Sequence, residues 1–194
     1  MADSNKIKFG IKNCYYAVAT ITSTGAATYG SPVALPGAVS ISLDAQGDTN
    51  KFYADNIVYF TSVANNGYEG DLELARIPDA FLKDCLGYYQ DNNGVLVEDA
   101  GVTPAHFALM FQFEGDKNAK RTVLYNCVAT RPSVAGSTKE DSIEPQTESI
   151  NITATTVYNS VLDKDVVKAS CTETDTTAYN SWLSSVYQTT TTAT

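Results

Sequence analysis

The sequence predicts a mainly β protein, an antiparallel β-sandwich or barrel with one flanking α-helix, a long loop and a C-terminal helix. Several segments alternate apolar and polar residues with period two, and turn-forming residues separate them. Two segments have the spacing of an amphipathic helix. Hydrophobic residues make up 43% of the 194 residues, which is enough for one core. We therefore expect a single domain over residues 1–194.

The N-terminal part is predicted to be an extended segment, a loop and a regular strand. Residues 6–22 are β-prone, and their apolar side chains alternate with lysines and Gly10 at the start, so residues 1–22 are expected to form an N-terminal arm or strand. Residues 23–37 contain three glycines and two prolines, which predicts a loop. Residues 39–43 follow a strict period of two, which predicts a strand with one buried and one solvated face.

Residues 44–64 are expected to form a long loop or hairpin. The stretch 44–50 is polar and turn-prone, and the stretch 52–60 is aromatic and β-prone. Asn65, Asn66 and Gly67 predict a turn, because Asn and Gly tolerate positive φ. Residues 68–74 alternate again and predict the next strand.

The flanking helix is predicted over residues 78–86. Proline is favoured at the first turn of a helix and glycine just after its end, and Pro78 and Gly87 occupy these places. Phe81, Leu82, Cys85 and Leu86 form an apolar stripe that we expect to cover a sheet.

The C-terminal half is predicted to contain further strands and one more helix. The stretch 105–113 is apolar on both faces, as expected for a central strand. Asp175 is expected to cap a helix that reaches about residue 187, and residues 188–194 to form a disordered tail. The other predicted elements are a hairpin over 88–97, an antiparallel partner strand over 121–130, and strands over 149–158 and 166–171.

The charge balance argues against nucleic-acid binding. The net charge is -9, with 22 acidic against 13 basic residues, whereas binding by phosphate neutralisation needs clustered Lys and Arg. Charged residues are only 18% of the chain, and a neutral polar surface suits large protein contacts. The first residues contain no apolar signal core and no stretch reaches membrane-spanning length, so we expect assembly in a cytoplasm and no membrane partner.

No catalytic, cofactor or metal site is expected from the sequence. The one histidine, His106, lies in the most apolar strand without a local partner that could orient it as a general base. The four cysteines are far apart and lack metal-site spacing, so buried free thiols are expected. Paired carboxylates such as those at 98–99 and 140–141 lie in turns and are interpreted as solubilising, with acid–base work on a glycoside as the remote alternative.

Two functions of different class fit these observations. One is a self-assembling structural protein, and the other is a monomeric β-sandwich binding module of the carbohydrate-binding or adhesin type. Residues 56–60 are uncharged and lack proline, whereas a monomer must protect its strand edges. We therefore favour self-assembly, with tyrosines as interface anchors instead of a sugar-binding platform. The expected subunit-interface residues are Phe52, Tyr53, Asn56, Ile57, Tyr59 and Phe60.

Several blocks, in this order, carry a resemblance to a known family. They are KFGIKN with YYA over 8–17, FYADN over 52–56, NGYEG over 66–70, IPD with FL and LG over 77–87, and the stretches 106–113 and 121–130. Together they resemble the major tail protein, or tail tube protein, of long-tailed bacteriophages, with an opening like that of phages of Gram-positive bacteria.

The resemblance implies a structural virion protein and no enzyme. It implies a β-sandwich flanked by a helix, six subunits per ring, and stacked rings that conduct DNA into the host. The long loop would bridge neighbouring subunits and the N-terminal arm would dock on the next ring. The implied partners are further copies of the chain and the tape-measure, tail terminator and distal tail proteins, while DNA passes without being bound. No cofactor is implied.

The lumen of such a tube is usually acidic. The candidate lumen residues lie on or beside the strands that flank the long loop, and solvated turn residues on the outer wall are an equally good interpretation of each. They are Asp44, Asp48, Asp55 and Asp71.

Overall fold

The computed structural model describes residues 9–114, 119–138 and 146–189. Within these residues the chain forms strands and two helices. The strands are β1 (Phe9–Ile21), β2 (Ala27–Tyr29), β3 (Val33–Ala34), β4 (Ala38–Gln46), β5 (Thr49–Ala54), β6 (Ile57–Val63), β7 (Gly67–Leu74), β8 (Tyr89–Gln90), β9 (Leu96–Val97), β10 (His106–Glu114), β11 (Arg121–Ala129), β12 (Glu148–Thr155), β13 (Val157–Asn159), β14 (Lys164–Val166) and β15 (Lys168–Cys171). The helices are α1 (Asp79–Leu86) and α2 (Thr176–Ser181).

One large antiparallel sheet organises the molecule. Its strand order is β2-β1-β10-β11-β12-β7-β4, with β15 added to β11 and β3 added to β1. The sheet curls so that β4 approaches β1, but these two strands are not hydrogen-bonded and the barrel does not close. The predicted antiparallel β-sandwich with a flanking helix is therefore confirmed. Three two-stranded ribbons, β5–β6, β8–β9 and β13–β14, lie outside this sheet.

Two apolar clusters lie on opposite faces of the central strands. Alternation along β10 sends Phe107 and Leu109 into the inner cluster with α1, and Ala108 and Met110 into the outer cluster with α2. All four side chains are fully buried. The prediction of a central strand that is apolar on both faces is confirmed, because each face of β10 has a covering layer.

Helix α1 begins and ends where its sequence signals predict. Pro78 is the extended N-cap residue, and Gly87 adopts the left-handed conformation at the C-cap with φ 71°. A Cβ at Gly87 would lie 2.1 Å from a methyl carbon of Val102, so the position requires glycine. Phe81 is fully buried and makes edge-to-face ring contacts with Tyr16 and Phe107 at 5.1 and 5.4 Å.

The predicted C-terminal helix is too long. Helix α2 ends at Ser181 instead of near residue 187. The Ser181 hydroxyl donates back to the carbonyl of Thr177, a bond that weakens a helix at its end. Asp175 is the N-cap residue, but its carboxylate accepts a bond from the Thr172 amide and makes none to the helix. Trp182 remains buried, so the segment still covers the outer cluster.

Other departures from the predicted elements are local. The predicted loop over 23–37 contains β2 and β3, which pair with β1. The predicted strands over 149–158 and 166–171 are each interrupted, at Thr156 and at Val167, where the chain passes from pairing with β11 to the β13–β14 ribbon and back again. The N-terminal arm is described only from Phe9 and the C-terminal tail only to residue 189, so the rest of both predicted segments lies outside the described residues.

Candidate assembly surfaces

Residues 44–64, predicted as a long loop or hairpin, mostly form a two-stranded ribbon. Strand β4 runs on to Gln46, and β5 and β6 then make a hairpin before β7 begins at Gly67. The base is closed by bonds from the Ala64 amide to the Asp48 carbonyl and from the Asn66 amide to the Gln46 carbonyl, both 2.9 Å. We call this ribbon, residues 49–63, the aromatic hairpin.

The tip of the aromatic hairpin is a two-residue turn at Asp55 and Asn56. Their φ angles are 50° and 62°, and two successive positive φ values define the turn that matches the twist of a hairpin. Asp and Asn tolerate this conformation better than other residues with a side chain. Sequence reasoning treated residues 52–60 as one continuous segment because this turn contains no glycine.

The aromatic hairpin exposes large apolar side chains on both faces. Phe52 lies opposite Phe60 and Tyr53 opposite Val58, with a bulge between the two pairs. Exposed fractions range from 46% to 74% for the group Phe52, Tyr53, Ile57, Val58, Tyr59, Phe60 and Val63. An isolated two-stranded ribbon is at best marginally stable in water, and exposed apolar patches mark interaction surfaces. The hairpin therefore has the properties of a surface that another protein covers.

All six residues predicted for the subunit interface lie on this hairpin. Phe52 and Tyr53 are on β5, and Asn56 is in the tip. Ile57, Tyr59 and Phe60 are on β6, which completes the predicted set. Val58 and Val63 are equally exposed and were missed, although β-branched residues in an uncharged strand are a sequence signal of the same kind.

A second surface is an acidic face on β4 and β7. Along β7, Leu72 and Leu74 point into the inner cluster, so Glu69, Asp71 and Glu73 point outward. Asp44 of β4 lies directly opposite Glu69. Strands β4, β7 and β12 contain no Lys or Arg, and no described residue of these strands belongs to the outer cluster. The acidic face, Asp44, Glu69, Asp71 and Glu73, is thus uncovered and has no basic residue on its own strands.

The structure brings two of the four candidate lumen residues together. Asp44 and Asp71 share the acidic face, whereas Asp48 lies at the base of the aromatic hairpin and Asp55 at its tip. Sequence reasoning missed Glu69 and Glu73, although the alternation over 68–74 already places them on one face with Asp71.

Glu73 is held as a carboxylate by its neighbours. The Thr147 hydroxyl donates to it, and the Ser40 hydroxyl donates at 2.8 Å. These bonds, that from Thr147 first, lower the pKa of Glu73 below its usual value. Glu73 therefore keeps its charge at neutral pH.

The polar groups and thiols inside the fold have structural roles. The Nδ1 atom of His106 lies 2.7 Å from the side-chain oxygen of Asn126, whose amide donates to Thr155 and Thr156. All four cysteines are buried and unpaired. Among the residues described, no group of three or more His, Cys, Asp or Glu could hold a metal ion, and neither helix is long enough to span a membrane.

Comparison with known proteins identifies the family of this chain. A family model described as "Phage tail tube protein" matches residues 2–194, nearly the whole chain. The match identifies the family only. It does not say whether the chain comes from the group found in phages of Gram-positive bacteria. No curated protein matches the sequence.

Proposed function

This chain belongs to the phage tail tube protein family, and we propose that its copies polymerise as stacked hexameric rings into the tube through which DNA is ejected into the host cell. Membership makes the chain a structural component of the virion tail. The stoichiometry, the joint between copies and the course of the DNA are the parts that we propose.

The aromatic hairpin is the observation that supports the proposal best. It buries almost none of its apolar side chains on its own subunit, and both of its faces are apolar. If both faces of the aromatic hairpin are covered in the assembly, the hairpin contacts either two neighbouring subunits or a cleft in one of them. Repeating that contact between unlike surfaces produces a ring or a filament.

The acidic face is proposed to line the lumen. DNA must move past the wall quickly, so the wall must repel phosphate. Interactions between exposed charges are screened beyond about 8–10 Å, so only charges that face the DNA act on it. The concentration of Asp44 and Asp71, with Glu69 and Glu73, on one exposed face supports this proposal. Asp48 and Asp55 lie at the base and the tip of the aromatic hairpin, so they remain candidate lumen residues only if the hairpin itself reaches the lumen.

A stack of identical rings leaves two unlike ends that further copies would extend. We propose that the tail terminator closes one end, that distal tail proteins hold the other, and that the tape-measure protein occupies the lumen during assembly in the host cytoplasm. The stacking of rings is open-ended, unlike the contacts that close each ring, so length control requires partners of this kind.

The alternative, a monomeric carbohydrate-binding or adhesin-like sandwich, fits the surface less well. A monomer protects free strand edges with charges, prolines or bulges. Strand β6 is IVYFTSV, without a charge or a proline, and every residue in it is exposed. Such a surface would make a lone module prone to aggregate.

Excision of the aromatic hairpin tests the proposal. Replacing residues 49–63 with two glycines keeps the bond between Asn66 and Gln46 at its base, so the sandwich is expected to fold. The excised protein is expected to remain monomeric by light scattering and negative-stain microscopy, while the wild type forms rings or tubes. Val161→Ala, an exposed apolar change elsewhere, serves as the control. Normal tubes from the excised protein would show that the hairpin is not the joint.

A further inference from the structure

We propose that the open end of the sandwich is a socket for the small hairpin, residues 89–97, of the next copy along the tube. This inference rests on the proposed function, because it names the two surfaces that meet when rings stack. It assigns a docking role to a cavity and to a ribbon that the aromatic hairpin does not include.

The socket is a cavity of about 540 Å³ between two parts of the curled sheet. On one side lie Ile41, Leu43 and Tyr68 of β4 and β7, and on the other Phe111 and Phe113 of β10. Ile41, Leu43 and Phe113 are only partly buried against the inner cluster. The inner cluster is therefore closed by α1 at one end and left open, with an apolar lining, at the other.

Two lysines stand at the rim of the socket. The Lys168 ammonium lies 4.4 Å from the centre of the Tyr68 ring, and Lys120 also lines the cavity. Both side chains are exposed, and neither pairs with a carboxylate of the described residues. An apolar pocket with unpaired cations at its rim suits a partner segment that is apolar and acidic.

The small hairpin has this composition. Tyr89, Val95 and Val97 are 63%, 55% and 48% exposed. The carboxylate of Asp91 orders the loop by accepting hydrogen bonds from the amides of Val95 and Asn93. These bonds, that from Val95 most of all, lower the pKa of Asp91, so the side chain stays ionised. Asp99 adds a further exposed carboxylate just after the ribbon.

The socket and the small hairpin lie at opposite ends of the molecule. Strand β7 receives the chain from the aromatic hairpin at Gly67 and passes it to α1 after Leu74. The small hairpin follows α1 directly, and Arg131, just beyond the end of β11, pairs with Glu98 beside it at 2.9 Å. The socket is instead bounded by Tyr68, at the Gly67 end of β7. Opposite placement is what a contact must have if it repeats from ring to ring.

Charge reversal at the rim tests the contact. Lys168→Glu is expected to raise the protein concentration required for tube formation by about tenfold, the effect of losing one favourable interfacial charge contact. Lys164→Glu makes the same charge change on β14, away from the socket, and is expected to assemble normally. Adding Asn92→Lys at the exposed tip of the small hairpin is expected to restore assembly of the Lys168→Glu protein.

Cross-linking identifies the occupant directly. The native cysteines are buried, so introduced thiols react selectively. In tubes mixed from Lys168→Cys and Asn92→Cys subunits, a short bis-maleimide is expected to produce a cross-linked dimer, and a Lys164→Cys with Asn92→Cys mixture is not. Cross-linking of Lys168→Cys to Ser62→Cys, an exposed β6 position that leaves the aromatic anchors in place, would instead assign the socket to the aromatic hairpin and overturn the inference.

The outcomes separate this inference from the proposed function. Wild-type protein that forms no tubes would contradict the function itself. Tubes that form equally well with Lys168→Glu and yield no dimer between positions 92 and 168 would contradict the socket alone.

Discussion

Truncating Tyr59 is expected to weaken assembly strongly without unfolding the subunit. The side chain is 72% exposed and belongs to a ribbon in which every strand residue except Ala54 is exposed. Tyr59→Ala therefore creates no cavity, and its effect on the free energy of unfolding is expected to stay within about 0.5 kcal/mol. If Tyr59 is an interface anchor, its loss costs about 2 kcal/mol per contact, which raises the concentration required for assembly about 30-fold.

The assay compares two measurements on the same preparations. Thermal or urea unfolding of the monomer reports the folded state, and sedimentation with negative-stain microscopy reports tubes as protein concentration increases. Tyr59→Phe keeps the ring and serves as the matched variant, which is expected to assemble like the wild type. Unchanged assembly of Tyr59→Ala would refute the role of the residue as an anchor, and a large loss of unfolding free energy would refute the premise that the hairpin stands free.

The remaining predictions concern the core, the thiols and the lumen. Phe81→Ala is expected to cost about 3–5 kcal/mol in a urea titration, because the ring is fully buried between Tyr16 and Phe107; a wild-type midpoint would contradict this packing. Burial raises the pKa of Cys14 and of Cys127 to about 12, so the folded state keeps these protons where the unfolded state loses them near pH 9. The free energy of unfolding is thus expected to fall as pH rises from about 9 to 12, by about 1.4 kcal/mol per pH unit per thiol, and less steeply in Cys127→Ala. Assembled tubes are expected not to retain DNA on a filter at low salt, where phosphate contacts are strongest, and salt-sensitive retention would contradict an acidic lumen.

The local elements could be predicted because their signals lie within a few residues. Pro78 and Gly87 mark the ends of α1 by their own backbone preferences, and period-two alternation marks β4 and β7. The interruptions at Thr156 and Val167 could not be predicted. They lie where the chain leaves its pairing with β11 and later returns to it, and this pairing partner, about 30 to 40 residues away in sequence, is in place only once the sheet is assembled.

For a related reason, the sequence predicts the aromatic hairpin more completely than the acidic face. The aromatic hairpin residues are adjacent in sequence, so composition alone was sufficient to find them. The acidic face depends on which side of a strand a carboxylate occupies. Nearness to the predicted loop suggests Asp48 and Asp55 as lumen residues, whereas the register of β4 and β7 places Glu69 opposite Asp44. Face, and not distance along the chain, decides which charges act together.

In the isolated subunit the β-sandwich is expected to be stable, whereas the aromatic hairpin lacks the contacts that would stabilise it. The sandwich has buried clusters on both sides of β10, whereas the aromatic hairpin is held only at its base. Ordering a ribbon costs conformational entropy that its own contacts do not offset. Two free subunits that meet must order both ribbons for one contact, whereas a subunit that joins an existing ring meets surfaces that are already ordered. Growth from a preformed end is therefore favoured over spontaneous pairing in solution.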